Sequence, residues 1–261
     1  MSIESVLGLF AHPDDETIMA GGTLAMLHAQ GVRTHVASAT RGEGGEVGEP
    51  PVVADRSQLG AAREAELRCA AQALGLTSLH FLGYVDPEVG PQEELAPFAA
   101  DFPTLVEQLA RLIMDLGADV VLTHGPDGEY GHPAHSLMHR AALQAVRQRA
   151  PQALLYSVSA SVPGLEEDHI WNASRTAHLA LDISPWAGAK LAAMQCHLSQ
   201  HALFKRRRNL QTVQQALRRV ESFYREWPPC EDASPADAFA DLLRAAGARE
   251  IDPSTPDQGG L

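Results

Sequence analysis

The sequence is poor in cysteine, and the three that it has show no pattern. Cys69, Cys196 and Cys230 are odd in number, and no two of them form a CxxC pair. A disulfide framework or a thiolate metal site would need such spacing or an even set, so neither is predicted. We expect three reduced, mostly buried thiols.

Positive charge and long apolar runs are also scarce. Lys and Arg number 20 against 33 Asp and Glu, a net charge of −13. Nucleic acid and anionic membranes both need a broad basic surface, so neither is an expected partner. The one dense basic run, 205–208, falls in a helical stretch and is predicted to be a solvated face. The apolar run 6–11 is too short to cross a membrane and has no signal-peptide flanks, which favours a cytoplasmic protein.

Apolar runs of strand length alternate with amphipathic stretches of helix length. Strands are predicted over 5–11, 34–40, 78–83, 119–124, 154–159 and 178–183, and helices over 17–30, 56–74, 104–116 and 134–149. Gly31, Gly75 and Gly117 follow the first three helices as stops. This alternation is typical of an α/β fold, and we expect a Rossmann-like, mostly parallel sheet with helices on both faces.

The remainder of the chain is assigned to the same domain. Two further helices are predicted, over 185–199 and 207–227, packed on the body of a single domain that spans 1–251. The last ten residues, 252–261, contain two prolines and two glycines with almost nothing apolar. We expect a disordered tail there.

Two predicted strands are followed by clusters of ligating side chains. Residues 12–16 read His-Pro-Asp-Asp-Glu, and residues 124–135 contain His124, His132 and His135 together with several carboxylates. Ligands of open α/β sheets bind beyond the carboxyl ends of the strands, where these two loops would meet. Two histidines and one carboxylate satisfy a catalytic zinc and leave a position open for water. His132 and His135 are three residues apart at a predicted helix start, so their imidazoles share one face.

Other interpretations of these residues are weaker. Asp14 and Asp15 could cap the helix that follows them, which the helix dipole would favour. However, two aspartates after His-Pro at a strand end, opposite an HxxH loop, favour a metal site. A nucleotide or sugar binder would need a Gly-rich turn after the first strand, and a serine hydrolase a GxSxG elbow; neither motif occurs.

The two loops resemble the paired motifs of a known family. Ala11-His12-Pro13-Asp14-Asp15-Glu16 resembles the AHPDDE signature of the LmbE-like, or PIG-L, N-acetylglucosaminyl deacetylases, and residues 130–135 are similar to that family's second motif. The turn 40–43, the helix around Arg63, the strand end 81–83 and the late segment 190–200 also fit. The resemblance covers roughly residues 4–225.

By this resemblance the chain is a zinc-dependent deacetylase with one Zn²⁺ per chain, although another divalent metal is possible. His12, Asp15 and His135 would ligate the metal, and Asp14 would be the general base. The spacing of these residues in the sequence, taken alone, also allows His124 as a metal ligand.

The same resemblance implies further contacts. His132 would stabilise the oxyanion as a cation, and Tyr130 could donate a hydrogen bond to it. The side chains that would hold the sugar and its substituent are Glu43, Arg63 and Asp86, and Arg41 could join Arg63 on an acidic substituent such as malate.

The chain departs from the family at one position. Many members have Asp before the final histidine, where this sequence has Ala134. If that Asp orients a ligand or contacts substrate, another group must replace it, and Asp127 and Glu129 are the candidates.

The substrate implied is a small molecule that carries N-acetylglucosamine. Known members act on glucosaminyl-inositol and glucosaminyl-malate precursors of the thiols mycothiol and bacillithiol, and others on lipid-linked or oligomeric substrates. A zinc amidase that acts on a thiol conjugate or another acylamide remains the alternative on the same scaffold. Some relatives form rings, so a homo-oligomer is possible.

Overall fold

A computed structural model describes residues 2–90, 92, 94–165, 170–206, 208–230 and 234–252. The strands are β1 (Ser5–Phe10), β2 (Arg33–Ser38), β3 (Ser78–Phe81), β4 (Val120–Thr123), β5 (Leu154–Val158), β6 (Ala160–Ser161), β7 (Asn172–Thr176), β8 (Leu179–Asp182), β9 (Val220–Trp227) and β10 (Arg249–Glu250). The helices are α1 (Asp15–Ala29), α2 (Leu59–Leu74), α3 (Phe102–Asp115), α4 (Gly128–Gly131), α5 (Pro133–Arg149), α6 (Ala187–Cys196), α7 (His201–Arg206) and α8 (Ala238–Ala245). Short 3₁₀ turns cover Arg56–Gln58, Ser184–Trp186, Leu198–Gln200 and Val213–Ala216.

The main sheet has eight strands in the order β10-β8-β9-β5-β4-β1-β2-β3. Five neighbouring strands, from β3 to β5, are parallel, and β9, β8 and β10 extend the sheet with antiparallel pairing. The predicted α/β class and mostly parallel sheet are therefore confirmed. A two-stranded ribbon of β6 and β7 lies beside it.

Both faces of the sheet are covered because alternate residues of the central strand are apolar. Val6 and Phe10 of β1 pack on one face with α1, α6 and α8. Leu7 and Leu9 point to the other face and pack against α3 and α5. A buried parallel strand of this kind needs apolar side chains in both directions, and β1 supplies them.

The end of α2 and the start of α3 follow local sequence signals. Gly75 ends α2 with φ 74°, the left-handed conformation that glycine adopts without a steric penalty. Asp101 caps α3 by accepting hydrogen bonds from the backbone N–H and hydroxyl of Thr104.

The predicted helix over 207–227 is wrong. Only a 3₁₀ turn, Val213–Ala216, lies within it among the described residues, and β9 (Val220–Trp227) occupies its end. β9 pairs with β5 on one side and β8 on the other. These ladders satisfy its backbone polar groups, and tertiary pairing thus overrides the Arg- and Gln-rich composition.

The prediction of three reduced cysteines is also wrong. Cys69 of α2 and Cys196 of α6 form a disulfide across 127 residues of chain, whereas Cys230 keeps its thiol. The bond ties α2, which carries Arg63, to α6, which leads to His197.

Among the described residues, none of the helices has the length and apolarity to cross a bilayer. The predicted tail lies outside the described residues from position 253 onward.

Candidate metal centre

The candidate centre lies at the carboxyl ends of β1 and β4. Two segments build it: residues 12–16, here called loop 1, and residues 124–135, here called loop 4. β1 and β4 are neighbours in the sheet, so the loops that leave them meet at one edge. His12, Asp15 and His135 are buried there.

The three predicted ligands converge on one point. His12 Nδ1 lies 3.3 Å from His135 Nε2 and 3.3 Å from Asp15 Oδ2. The other oxygen of Asp15, Oδ1, lies 3.4 Å from His135 Nε2. Ligands about 2.0–2.1 Å from a tetrahedral zinc ion stand roughly 3.3 Å from one another, so these pairwise spacings suit the ion, with one oxygen of Asp15 near each imidazole.

His124 lies close to the same carboxylate but its nitrogens are already used. Its Nε2 accepts the backbone N–H of Ala11 at 3.0 Å, and its Nδ1 lies 3.0 Å from Glu129 Oε2. Possible ligand atoms form two compact groups among the described residues: His12 with His132 and His135, and Asp15 with His124 and His135. With both ring nitrogens bonded, His124 is a support for the loops rather than a ligand.

His132 begins α5 beside the centre. Its Nδ1 accepts the N–H of Ala134 at 3.2 Å, so a neutral ring carries its proton on Nε2. Burial, together with the charges of His135 and His12, lowers its pKa to about 2. The structure therefore favours a neutral His132, whereas the family resemblance implied an imidazolium cation. A neutral Nε2–H can still donate to an oxyanion.

Glu129 holds loop 4 together. Its Oε2 lies 2.6 Å from His135 Nδ1, and its Oε1 accepts the N–H of Gly125 at 2.8 Å and the amide of Asn172 at 3.0 Å. Burial would raise the pKa of Glu129, but His124 and His135 hold it well below its usual range. A charged carboxylate on Nδ1 turns His135 Nε2 towards the centre, which is the common support of a metal-bound imidazole.

Glu129 and Asp127, the two candidates to replace the family aspartate at position 134, therefore have different contacts. Glu129 orients His135, whereas Asp127 bonds the backbone N–H and hydroxyl of Ser174 at 2.7 and 2.8 Å. Glu129 adopts φ 59°, a conformation that non-glycine residues rarely take, so its placement depends on these bonds.

Asp86 plays the corresponding part for His12. Its Oδ1 lies 3.2 Å from His12 Nε2, which leaves Nδ1 facing the other two ligands. Burial lowers the pKa of His12, but the hydrogen bonds and charges of Asp15 and Asp86 raise it to about 10. Asp86, predicted to contact the sugar, also lines the cleft.

Asp14, the third residue of loop 1, is buried and has a φ of 111°. Burial raises the pKa of its carboxyl, the charge of Arg63 opposes this, and the pKa reaches about 6. Arg63 Nη2 lies 3.6 Å from Asp14 Oδ2 and donates to the carbonyl of Pro13 at 2.5 Å. A Cβ on Gly42 would lie 2.3 Å from the Arg63 guanidinium, so glycine is required there.

Glu16 and His197 support the backbone of Asp14, and the sequence analysis assigned neither of them a role. The backbone N–H of Asp14 donates to Glu16 Oε2 at 3.0 Å, and Glu16 Oε1 lies 3.3 Å from His197 Nε2. Both side chains are almost wholly buried. The hydrogen bond to Glu16 raises the pKa of His197 although burial opposes it. His197 lies in the late segment 190–200 that resembles the family, and this resemblance was the one available signal.

The remaining predicted residues lie farther out. Tyr130 is 39% exposed, and its ring centroid lies 5.7 Å from that of His132. Glu43 accepts the backbone N–H groups of Asp86 at 3.1 Å and Arg41 at 3.2 Å, so it shapes its loop. The Arg41 side chain is half-exposed and pairs with Glu43 and Glu64.

A polar cleft of about 1950 Å³, including its open mouth, leads to the centre. Its lining includes six carboxylates and three arginines, which are Asp14, Asp15, Glu46, Glu49, Asp86 and Glu88 with Arg56, Arg63 and Arg206. Each arginine faces a carboxylate: Arg63 faces Asp14, Arg56 lies 3.2 Å from Glu88, and Arg206 pairs with Glu46. The protein surface of the cleft is therefore acidic.

Comparison with known families gives a match to GlcNAc-PI de-N-acetylase (PIG-L) over residues 7–146, more than half of the chain. The matched part contains both loops and all three predicted ligands.

Two curated relatives of the chain have the same name. A 1D-myo-inositol 2-acetamido-2-deoxy-alpha-D-glucopyranoside deacetylase of Nocardia farcinica is 33% identical over 237 residues, which are 75% of this chain and 80% of that protein. A protein of the same name from Acidothermus cellulolyticus is 40% identical over 158 residues. That match spans 56% of this chain and about half, 54%, of the relative.

Solved structures share the fold. N,N'-diacetylchitobiose deacetylase of Pyrococcus horikoshii aligns with a TM-score of 0.60 and 19% identity over 92% of this chain and 89% of its own. The 4-carboxy-2-hydroxymuconate hydratase of Pseudomonas putida aligns with 0.60 and 23% over 88% and 99%. Because the two names denote different reactions, this likeness establishes the fold and leaves the reaction to the site.

Proposed function

The chain belongs to the GlcNAc-PI de-N-acetylase (PIG-L) family, and we propose that it hydrolyses the acetamide of an N-acetylglucosaminyl unit carried on a small neutral polyol. The observation that carries the proposal is the convergence of His12, Asp15 and His135 within 3.4 Å of one another, beside the buried carboxylate of Asp14.

Zn²⁺ is the metal that we assign to these ligands, one ion per chain. Two imidazole nitrogens and a carboxylate form a borderline-soft donor set with a net charge of −1, which suits zinc. When bound, zinc polarises an amide carbonyl and lowers the pKa of a water molecule.

Asp14 is the proposed general base. Its carboxylate would take a proton from the attacking water and then pass it to the amine nitrogen as the C–N bond breaks. A pKa raised to about 6 leaves Asp14 ionised at neutral pH and strong enough to accept a proton. The neutral His132, through Nε2–H, and Tyr130 would donate to the oxygen on which negative charge develops.

The charge of the cleft favours a neutral substituent on the sugar. Arg63, proposed from the sequence as a partner for malate, is 3% exposed and already bonded to Pro13, Gly42 and Asp14. A carboxylate on the substrate would meet six carboxylates and three paired arginines. A polyol such as inositol hydrogen-bonds to such a surface without electrostatic repulsion, and the curated relatives are named for that substituent.

The test is release of free amine from N-acetylglucosaminyl-inositol, N-acetylglucosaminyl-malate, N-acetylglucosamine and diacetylchitobiose, each with and without a chelator. We expect chelator-sensitive release, with kcat/KM for the inositol substrate at least about tenfold above that for malate. Metal content by mass spectrometry identifies the ion. Absence of release from all four substrates by metal-loaded protein contradicts the proposal, and a preference for malate contradicts the assignment of the substituent. Cytoplasmic location and homo-oligomerisation remain predictions, the second open to sedimentation analysis.

A further inference from the structure

A second, smaller cavity adjoins the candidate centre. It encloses about 630 Å³ including its open part. Its apolar lining comes from α1, α7 and the turn Val213–Ala216: Ile18, Met19, Leu203, Phe204 and Ala216. Two arginines also line it: Arg208 donates to the carbonyl of Gln215, and the guanidinium of Arg218 lies over the Trp171 ring. Ile170 contributes from the segment before β7.

The apolar cavity and the polar cleft meet at the centre. Four residues line both of them: Asp14, Asp15, Tyr130 and Leu203. Three of these are the proposed base, a proposed metal ligand and a proposed oxyanion donor. The centre is thus a junction between a polar space and an apolar one.

The two substituents of the substrate amide differ in polarity, and the two spaces that meet at the centre differ in the same way. The amine end is a sugar, which needs hydrogen-bonding partners and fits the polar cleft. The carbonyl carbon must lie beside Asp14 and Asp15, so the acyl chain that continues from it is directed towards the apolar cavity. We propose that this cavity is the acyl subsite, and that the enzyme accepts unbranched N-acyl chains longer than acetyl. The inference rests on the proposed function, because it assumes that the amide lies at this junction.

Helical spacing explains why the subsite begins at the centre. Met19 follows Asp15 by four residues, which places it on the same face of α1 one turn farther along. Ile18 lies one turn beyond the N-cap residue Asp14, to whose carbonyl its N–H donates. The cavity therefore starts beside the two carboxylates and runs along the helix. Met19 is buried and unbranched, and such a side chain adjusts its shape to chains of different length.

The size of the cavity exceeds what an acetyl methyl group needs. The room that the cavity offers to small molecules is about 70 Å³. A single water molecule needs about 10–15 Å³ on the same measure, and a methyl group is of similar size. Each additional methylene that leaves water for an apolar wall strengthens binding by about fourfold. Phe204, 9% exposed, and Ala216 also line the cavity, so their side chains determine the space left for a longer chain.

The reaction is the same for every chain length. The oxygen of water bonds to the carbonyl carbon, the C–N bond breaks, the amine nitrogen gains a proton, and a carboxylate leaves. No oxidant or further reactant is required.

The experiment compares N-acetyl, N-propanoyl, N-butanoyl and N-hexanoyl glucosaminyl-inositol with the wild type and two variants. We expect the wild type to cleave the butanoyl substrate with kcat/KM at least equal to that for acetyl. Ala216→Phe fills the cavity and should lower the butanoyl-to-acetyl ratio at least about tenfold. Phe204→Ala enlarges it and should raise the hexanoyl-to-acetyl ratio. The matched control is Ala65→Phe on the exposed face of α2, for which both ratios should equal those of the wild type.

A binding measurement separates this inference from the proposed function. N-ethyl and N-butyl glucosaminyl-inositol cannot be hydrolysed, and calorimetry should give a Kd about tenfold lower for the butyl compound. If acetyl hydrolysis occurs but neither variant shifts its ratio, the subsite is wrong and the function stands. If no substrate is cleaved but Ala216→Phe removes the butyl advantage, the subsite stands without the reaction. Equal Kd values for the two analogues overturn the subsite in either case.

Discussion

Asp14 of loop 1 and Glu129 of loop 4 are both buried carboxylates, yet the two are held in opposite ways. Both oxygens of Glu129 in loop 4 are occupied, by His124, His135, Gly125 and Asn172. Asp14 in loop 1 is held mainly through its backbone, by Glu16 on its N–H and Arg63 on the preceding carbonyl. The difference indicates separate tasks. Glu129 fixes a ligand, whereas Asp14 is fixed in place with its oxygens left available for proton transfer.

The largest effect is expected from Asp14→Asn. An amide cannot accept the proton of water, so kcat should fall by about 10²–10⁴-fold. Bound metal should stay near one equivalent, because the converging ligands are intact. Asp15→Asn is the neighbouring control and should lose metal together with activity. If Asp14→Asn were metal-free and Asp15→Asn metal-loaded, the roles of the two aspartates would have to be exchanged.

Glu129→Gln should produce the converse result. The amide keeps the size of the side chain but removes the negative charge that orients His135, so the metal Kd should rise by about 10–100-fold. Competition with a chromogenic chelator measures this Kd. The kcat at saturating metal should fall by a smaller factor than the affinity does. A variant with unchanged metal affinity and greatly reduced kcat would assign Glu129 to the reaction itself.

A smaller effect on turnover is expected from a change at Glu16, which supports Asp14. Glu16→Gln removes the charge that links Asp14 N–H to His197, and we expect kcat to fall by about tenfold with unchanged metal affinity and KM. Glu66→Gln is the matched control. Glu66 is also buried and holds the N–H and hydroxyl of Ser199, in the same segment as His197, without contact to Asp14. Equal losses in the two variants would mean that Glu16 has only a structural role.

The parts of this site that the sequence predicted are the parts with local signals. His12, Asp15 and His135 lie in short motifs that follow strands, and the parallel sheet brings those strand ends together. The supports could not be predicted in the same way. Glu16 meets His197 across 181 residues, and Glu129 meets Asn172 across 43. Neither spacing has a period or motif that would indicate contact.

The two errors in the fold have the same origin. Residues 220–227 read as the end of a helix because the stretch before them is rich in Arg and Gln, and their strand conformation depends on two partners distant in sequence. The cysteines gave no signal because 127 residues separate Cys69 from Cys196. Pairing at that distance depends on the packing of α2 against α6, which only the fold determines.

The smallest effect on turnover is expected from opening that disulfide. α2 carries Arg63 and α6 leads to His197, so the bond joins the two supports of loop 1. Both helices are also packed against the sheet, so the bond should act on the free energy of unfolding, with a loss of about 2–4 kcal/mol in Cys69→Ala/Cys196→Ala. Urea unfolding measures this loss, and kcat should stay within about twofold of the wild type. A tenfold lower kcat, equal to that of Glu16→Gln, would instead make the disulfide part of the apparatus that positions Asp14, and loop 1 would then depend on a covalent support that loop 4 lacks.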